Sequence, residues 1–381
     1  MAVGPAHRAD LSRALGVSRT TVTNLVSDLT GSGVLSPLER DGATRSAAQR
    51  PPLKQQLAIS ARCGVLLSVV FRMTSVTATV GALDGRVLAS DSEEFSRELP
   101  GTERMEIARA LFEHVLADCD ASAQEVLRLH LAVNTQCDRE SGAVISEQAA
   151  GPWRGTNPKQ LAEAWSPAVV TIENTARLTG LAEYHALGDP EPRSLVYVHL
   201  SWGVTMGQVV DGAIVAGSHG GAGELGHVSI DPMGPPCACA NRGCLMLYAG
   251  LDTVTERLQA VLGPKAGMPE AVAAIAEGSQ ACATVIEDVG ESVGNALAMV
   301  CNIVDPDVIV LGGELAGAGE LLGDAVQGAV RRRALPLVTR RLDVMTARTD
   351  EDRQACGRAA LSAMRSDPQV IDALVSAVLR G

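Results

Sequence analysis

The sequence predicts an α/β layered protein preceded by a small, basic helical head. Two observations carry this expectation. Short runs of β-branched and aliphatic residues alternate with longer helical runs through most of the chain, the mixture that stacks helices on sheets. The first 62 residues also differ in charge from the rest. Eight Arg or Lys stand against four acids there, a net +4, which leaves −16 on the remainder of a chain whose total is −12. A basic head on an acidic body suits a DNA-contacting module joined to a domain that DNA repels. Ordinary solvated charge is the plainer alternative.

The head comes first. Arg8 to Leu15 forms a short helix with Leu11, Ala14 and Leu15 on one side. Gly16 ends it, Val17 points inward, and Ser18 caps the next helix. There Val22, Leu25, Val26 and Leu29 fall at i, i+3, i+4 and i+7, one apolar stripe. The opposite face presents Arg19, Thr20, Thr23, Asn24 and Ser27, free of acids. Helix-turn-helix proteins place the N-terminal half of such a helix in the major groove. Arg pairs with guanine there, Asn with adenine, and Thr meets a thymine methyl or a phosphate. Beyond Gly31-Ser32-Gly33, Asp41-Gly42 marks a hairpin tip flanked by Arg40, Arg45 and Arg50, a basic wing for phosphates. Residues 1–58 are thus expected to be a winged helix-turn-helix that binds double-stranded DNA through Arg19, Thr20, Thr23, Asn24, Arg45 and Arg50. Any small helical hairpin mimics the bare pattern. A winged helix usually has a helix before the Arg8 segment, and seven residues precede it. Either the natural start lies upstream or the module is incomplete.

The body opens with a strand at Gly64–Phe71, an alternating run at Thr74–Val80 and a turn at Asp84-Gly85. Further strands are expected at Leu129–Val133, Ala168–Ile172, Ser194–Leu200 and Val308–Leu311, with a hairpin at Gln208–Val215 turning on Asp211-Gly212. Helical runs fall near 103–118, 175–187, 252–263, 280–302 and 353–379. The 381 residues admit two or three domains. Apolar residues at 46% exclude a disordered chain, and aromatics at 2% predict an aliphatic core. The longest apolar run, Val65 to Phe71, is too short for a membrane span, and the start lacks the core of a signal peptide. Nine cysteines, an odd number, fit a reducing compartment. A cytoplasmic protein with no membrane contact is expected.

Three of those cysteines cluster. His227 is followed by Cys237, Cys239 and Cys244, with Gly226 just before them, Gly234 and Gly243 between them, and Pro232, Pro235 and Pro236 stiffening the loop. One imidazole and three thiols suit tetrahedral Zn²⁺ in a structural site. The alternative is three buried thiols and an unrelated histidine. The other six cysteines are scattered singly.

Gly-Glu-Leu-Gly-His at 223–227, then Cys-x-Cys-x₄-Cys ending in Arg242-Gly243-Cys244-Leu245, resembles the signature of the ROK family (repressors, open reading frames and sugar kinases). The resemblance covers nearly the whole chain. It implies an actin-like ATPase fold of two ribonuclease-H-like lobes around a sugar and nucleotide cleft, with a winged helix in front in repressor members. The lobes would be 59–175, completed by 350–381, and 176–349 with the zinc loop. A homodimer or homotetramer is implied as well.

The departures from the family pattern matter most. Kinases of the family carry Asp-x-Gly-Gly/Ala-Thr on the first strand, where this chain has Val70-Phe71-Arg72-Met73-Thr74. The second phosphate loop, Gly-Thr-Gly-Ile-Gly, reads Ser201-Trp202-Gly203-Val204-Thr205. The Asn-Asp pair whose aspartate deprotonates the sugar is Asn174-Thr175. Phosphoryl transfer needs glycine backbone near the phosphates, a carboxylate for Mg²⁺ and a base. Losing a base alone costs about 10²–10⁴-fold; Val70, Arg72, Met73, Ser201, Thr205 and Thr175 together leave no catalytic residue. Asn302 to Asp307 and Leu311 to Leu315 keep the adenosine-side pattern, read either as fold maintenance or as a nucleotide remnant. Of the family's sugar contacts, Asn174, Glu224 and His227 remain, while Thr175 and Met246 replace two acids. Glu224 has a plainer reading as a loop cap, and His227 as a zinc ligand alone. The expectation is a DNA-binding transcriptional regulator, a repressor, whose kinase-like body dimerises and takes a small carbohydrate or sugar phosphate as effector. An ATP-dependent sugar kinase and a scaffold with a vestigial head are the alternatives.

Overall fold

The computed structural model describes residues 7–37, 57–60, 63–144, 151–188, 192–349, 352–365 and 367–372. The head holds α1 (Arg8–Leu15), α2 (Arg19–Gly31), β1 (Leu35–Pro37) and β2 (Leu57–Ile59). Gly16 closes α1 at φ 65°, and the Ser18 hydroxyl accepts from the Thr21 N–H at 3.1 Å, so the turn forms where the sequence places it. β1 and β2 pair antiparallel, Leu35 opposite Ile59, which makes the base of a wing. Its expected tip at Asp41-Gly42, with Arg40, Arg45 and Arg50, lies outside the described residues. The apolar stripe of α2 is only half used. Val22 and Val26 pack with Leu57, Leu11 and Leu35, whereas Leu25 and Leu29 remain 48% and 37% exposed. Val17 does not point inward as expected; it and Leu15 are exposed too, because α1 and the strand pair cover one side of α2 alone among the described residues.

The first half of the body runs β3 (Val65–Phe71), β4 (Ser75–Ala82), β5 (Val87–Glu94), α3 (Gly101–Ala117), β6 (Val126–Val133), α4 (Pro158–Ala162), β7 (Val169–Asn174) and α5 (Thr175–Leu187). The second half runs β8 (Ser194–Leu200), β9 (Val204–Val210), β10 (Ala213–Ile214), α6 (Met246–Ala249), α7 (Leu251–Leu262), α8 (Met268–Ala276) and α9 (Gln280–Val304). It continues with β11 (Val308–Gly312), α10 (Glu320–Arg333), α11 (Pro336–Thr339), β12 (Asp343–Thr346) and α12 (Ala355–Arg365). The strand order is β5-β4-β3-β6-β7 in one sheet and β10-β9-β8-β11-β12 in the other. In each, three consecutive strands pair antiparallel and the next two join in parallel. One plan is therefore used twice. Parallel pairs need crossovers, and α3, α4, α6 to α9 and α10 with α11 supply them.

Side-chain alternation sorts the layers. Val65, Leu67, Val69 and Phe71 of β3 pack on Ala108, Phe112 and Val115 of α3. Leu66 and Val70 face the other way, into one cluster with Leu178 of α5, Leu361 of α12 and Leu195 and Tyr197 of β8. Val196, Val198 and Leu200 turn outward onto α9 and α10. The result is helix, sheet, helix, sheet, helix, with α5 and α12 filling the central layer. On the outside, α9 and α10 cross closely. A Cβ on Gly290 would stand 2.5 Å from Ala325 and one on Gly294 2.5 Å from Ala329, so glycine at these positions sets the interhelical distance. Among the described residues no helix is long and apolar enough to cross a membrane.

Candidate functional site

The segment from Glu224 to Cys244 folds as a loop against β9. A short 3-10 turn spans Leu225–His227, and isolated bridges join Ser229 to Cys244 and Pro236 to Arg242. Gly243 has φ 59°, and a Cβ there would lie 1.7 Å from the Asp231 carbonyl, a position for glycine alone. The Asp231 carboxylate braces the turn by accepting from the Met233 N–H at 3.0 Å and the Tyr248 hydroxyl at 3.2 Å. These constraints bring the ligand atoms of His227, Cys237, Cys239 and Cys244 within 4.8 Å of one another. His227 Nδ1 lies 3.8 Å from Cys237 Sγ, and Cys239 Sγ lies 3.6 Å from Cys244 Sγ. A tetrahedron with metal–sulfur arms of about 2.3 Å has edges near 3.8 Å, so the donor set fits a four-coordinate metal ion closed to further ligands. Away from this cluster, burial pushes the Cys137 thiol up to about 12 and the Cys301 thiol up to about 11.

A cavity of about 560 Å³ opens between the sheets. Its walls come from the carboxyl ends of β3, β6, β7 and β8, with Glu224 approaching from the metal loop and Glu314 following β11. Strand carboxyl ends are where open α/β sheets take ligands. Arg72, Met73, Ser201 and Thr205 line the cavity, but Val70 does not; it is buried in the central layer. Thr175 lines it with its hydroxyl already engaged, Oγ1 donating to the Phe71 carbonyl at 2.8 Å. Trp202 is not among the cavity-lining residues, and the Arg97 guanidinium lies 5.2 Å over its ring.

The three sugar-contact candidates separate. Asn174 lines the cavity while capping α5: Oδ1 accepts from the Ala176 N–H at 2.8 Å and Nδ2 donates to the Thr135 carbonyl at 3.3 Å. Glu224 lines it too and makes no side-chain cap of its own turn; its Oε2 instead accepts from Gln136 Nε2 at 2.6 Å. His227 belongs to the metal cluster and is not among the cavity-lining residues. Thr135, Gln136 and Glu173 were not singled out by the sequence. Glu173 takes Arg177 Nε at 2.6 Å and Arg139 Nε at 3.4 Å, and Arg177 Nη1 donates to the Ala222 carbonyl at 2.5 Å. That network ties α5 to the strand of chain that carries Glu224. The polar run Asn134-Thr135-Gln136 straight after an apolar strand was the available signal.

In the adenosine-side segment two side chains brace the backbone. Asn302 Oδ1 accepts from the Leu335 N–H at 2.9 Å, and Asp307 Oδ2 accepts from the N–H groups of Arg193 and Ser194 at 2.8 and 2.9 Å. On the head, Arg19, Thr20, Thr23 and Asn24 are all exposed on α2. The Thr23 hydroxyl donates to the Arg19 carbonyl at 2.8 Å.

Known proteins resemble this chain along its length. The xylose repressor of Caldicellulosiruptor bescii is 22% identical over 345 residues, covering 86% of this chain and 84% of that protein. A crystal structure of a ROK family transcriptional regulator, a homologue of the E. coli Mlc protein, superposes with a TM-score of 0.76 at 22% identity, covering 99% and 95% of the two chains. The ROK hexokinase from Thermus thermophilus gives a TM-score of 0.65 at 24% identity, covering 79% of this chain and 98% of that one. The two-sheet architecture is thus the actin-like fold of regulators and sugar kinases alike, here with helices ahead of it that suit a winged helix-turn-helix head. The ROK family model itself matches residues 69–365, from the first phosphate-loop strand through the metal loop to α12, and the chain belongs to the ROK family.

Proposed function

We propose that this chain is a DNA-binding transcriptional repressor whose kinase-like cleft senses a carbohydrate without phosphorylating it. The observation that carries the reading is Thr175. It stands where kinases of the family resemble one another in an aspartate base, and its hydroxyl is bonded to the Phe71 carbonyl at 2.8 Å. Threonine is no general base near neutral pH, and Val70, Arg72, Met73, Ser201 and Thr205 lack the carboxylate and glycine backbone that phosphoryl transfer uses. The ROK family transcriptional regulator matches 99% of this chain, the head as well as the body.

In this reading residues 1–58 dock on double-stranded DNA, with Arg19, Thr20, Thr23 and Asn24 toward the bases and Arg45 and Arg50 toward phosphates. Lobes 59–175 with 350–381, and 176–349, enclose the effector, a sugar or sugar phosphate touching Asn174 and Glu224. The chain works as a homodimer or homotetramer in the cytoplasm. One structural Zn²⁺ is held by His227, Cys237, Cys239 and Cys244. Glu224 precedes a single 3-10 turn that ends in His227, so loop folding and cleft shape share one short segment. The effector acts by binding the DNA-competent and incompetent states with different affinity.

The test is a titration of the zinc-replete chain with promoter DNA from its own gene neighbourhood, with and without sugars. Specific binding that strengthens as salt is lowered, and that one sugar alters, is expected. Absence of binding at low salt would refute the proposal.

A further inference from the structure

We propose that Thr135 is a specificity-determining contact in this cleft, and that it meets an uncharged hydroxyl of the ligand. The inference rests on the sensing reading above and deepens it. Thr135 follows β6 at its carboxyl end and lines the cavity between the sheets. The residue is only 8% exposed, and its Oγ1 is buried with no hydrogen-bonding partner among the described residues. Buried polar groups without partners are rare in native proteins because their desolvation goes uncompensated. The backbone around it is held, since the Thr135 carbonyl accepts from Asn174 Nδ2 at 3.3 Å.

The neighbouring residue defines the chemistry. Gln136 Nε2 donates to Glu224 Oε2 at 2.6 Å, so the residue after Thr135 holds a carboxylate at the wall of the same cavity. An anion at this end would meet that carboxylate, and like charges repel. A neutral hydroxyl can both accept from and donate to a threonine side chain and can donate to a carboxylate.

The experiment uses the full, zinc-replete chain. D-xylose, D-glucose and N-acetylglucosamine, each as free sugar and as sugar phosphate, are screened by thermal shift, and the binder is titrated calorimetrically against the unaltered chain, Thr135→Val, Thr135→Ser and Thr135→Ala. Thr135→Val should melt no lower than the parent without ligand, because an apolar group replaces an unpartnered hydroxyl. It should bind the sugar about five- to tenfold more weakly, with Thr135→Ser close to the parent. Among monodeoxy analogues, one should lose the same factor on the parent and nothing on Thr135→Val, the signature of a direct contact in a double cycle. Should Thr135→Val fold poorly, Thr135→Ala carries the same comparison. Equal sugar affinity of parent and variants, or additive losses for every analogue, would overturn the assignment while leaving sugar sensing intact. Failure of the unaltered chain to bind any sugar would overturn both.

Discussion

Replacing Arg19 with alanine is expected to lower operator affinity by about ten- to a hundredfold and to relax preference at one base pair. Arg19 opens α2, exposed, with no acid beside it in the first turn. A bidentate arginine–guanine contact discriminates by about 1–3 kcal/mol. Asn24→Ala should do the same at a different base pair, one turn along the helix. Both are read by titrating the operator and its single-base variants at several salt concentrations. A phosphate contact behaves otherwise: loss of Arg45 or Arg50 weakens all sequences alike and flattens the salt slope by about one. Unchanged selectivity in Arg19→Ala would remove the recognition role from α2.

Cys244→Ser is expected to lose the metal and to melt on the order of 10 °C lower, since an ion at a large excess over its dissociation constant stabilises by about 4 kcal/mol. The sugar-dependent thermal shift should vanish with it, because the same loop carries Glu224 to the cavity wall. Cys244 is fully buried beside Leu245 in the core of the second sheet, so part of its effect is packing. Cys239 is exposed and separates the two causes. Cys239→Ser should lose zinc equally but less stability. Zinc content is measured by atomic emission and melting by calorimetry; a full complement of zinc in Cys239→Ser would contradict the site.

Much of this was legible in the residues. Ser194–Leu200 and Thr175–Leu187 form as expected, since each is a periodic run bounded by a break. The metal cluster was legible because four soft donors in a glycine- and proline-rich loop have few other uses. α10 was not: Gly323 and Gly328 dilute its pattern, and its buried positions Leu322, Val326, Ala329 and Val330 make sense only against Gly290 and Gly294 of α9. β12 was missed because it is a four-residue edge strand. The expected helix over 353–379 is broken: α12 spans Ala355–Arg365 and helix is present again at 368–372 after Asp367, whose carboxylate accepts from the Gln369 N–H at 2.8 Å, while 373–379 lie outside the described residues. In the cleft, Asn174 and Glu224 both line the cavity, but the sequence could not show Gln136 crossing to Glu224. That pair is 88 residues apart in the chain, and only the juxtaposition of the two sheets makes it. Nor could composition reveal that Leu25 and Leu29 would stay uncovered on the head.

The most direct measurement is a phosphoryl-transfer assay on the purified, zinc-replete chain with magnesium ATP and the sugar panel, followed by chromatography of the products. The account predicts that no sugar phosphate forms above the protein-free control, even for a sugar that raises the melting temperature. Many molar equivalents of phosphorylated sugar per chain would contradict it.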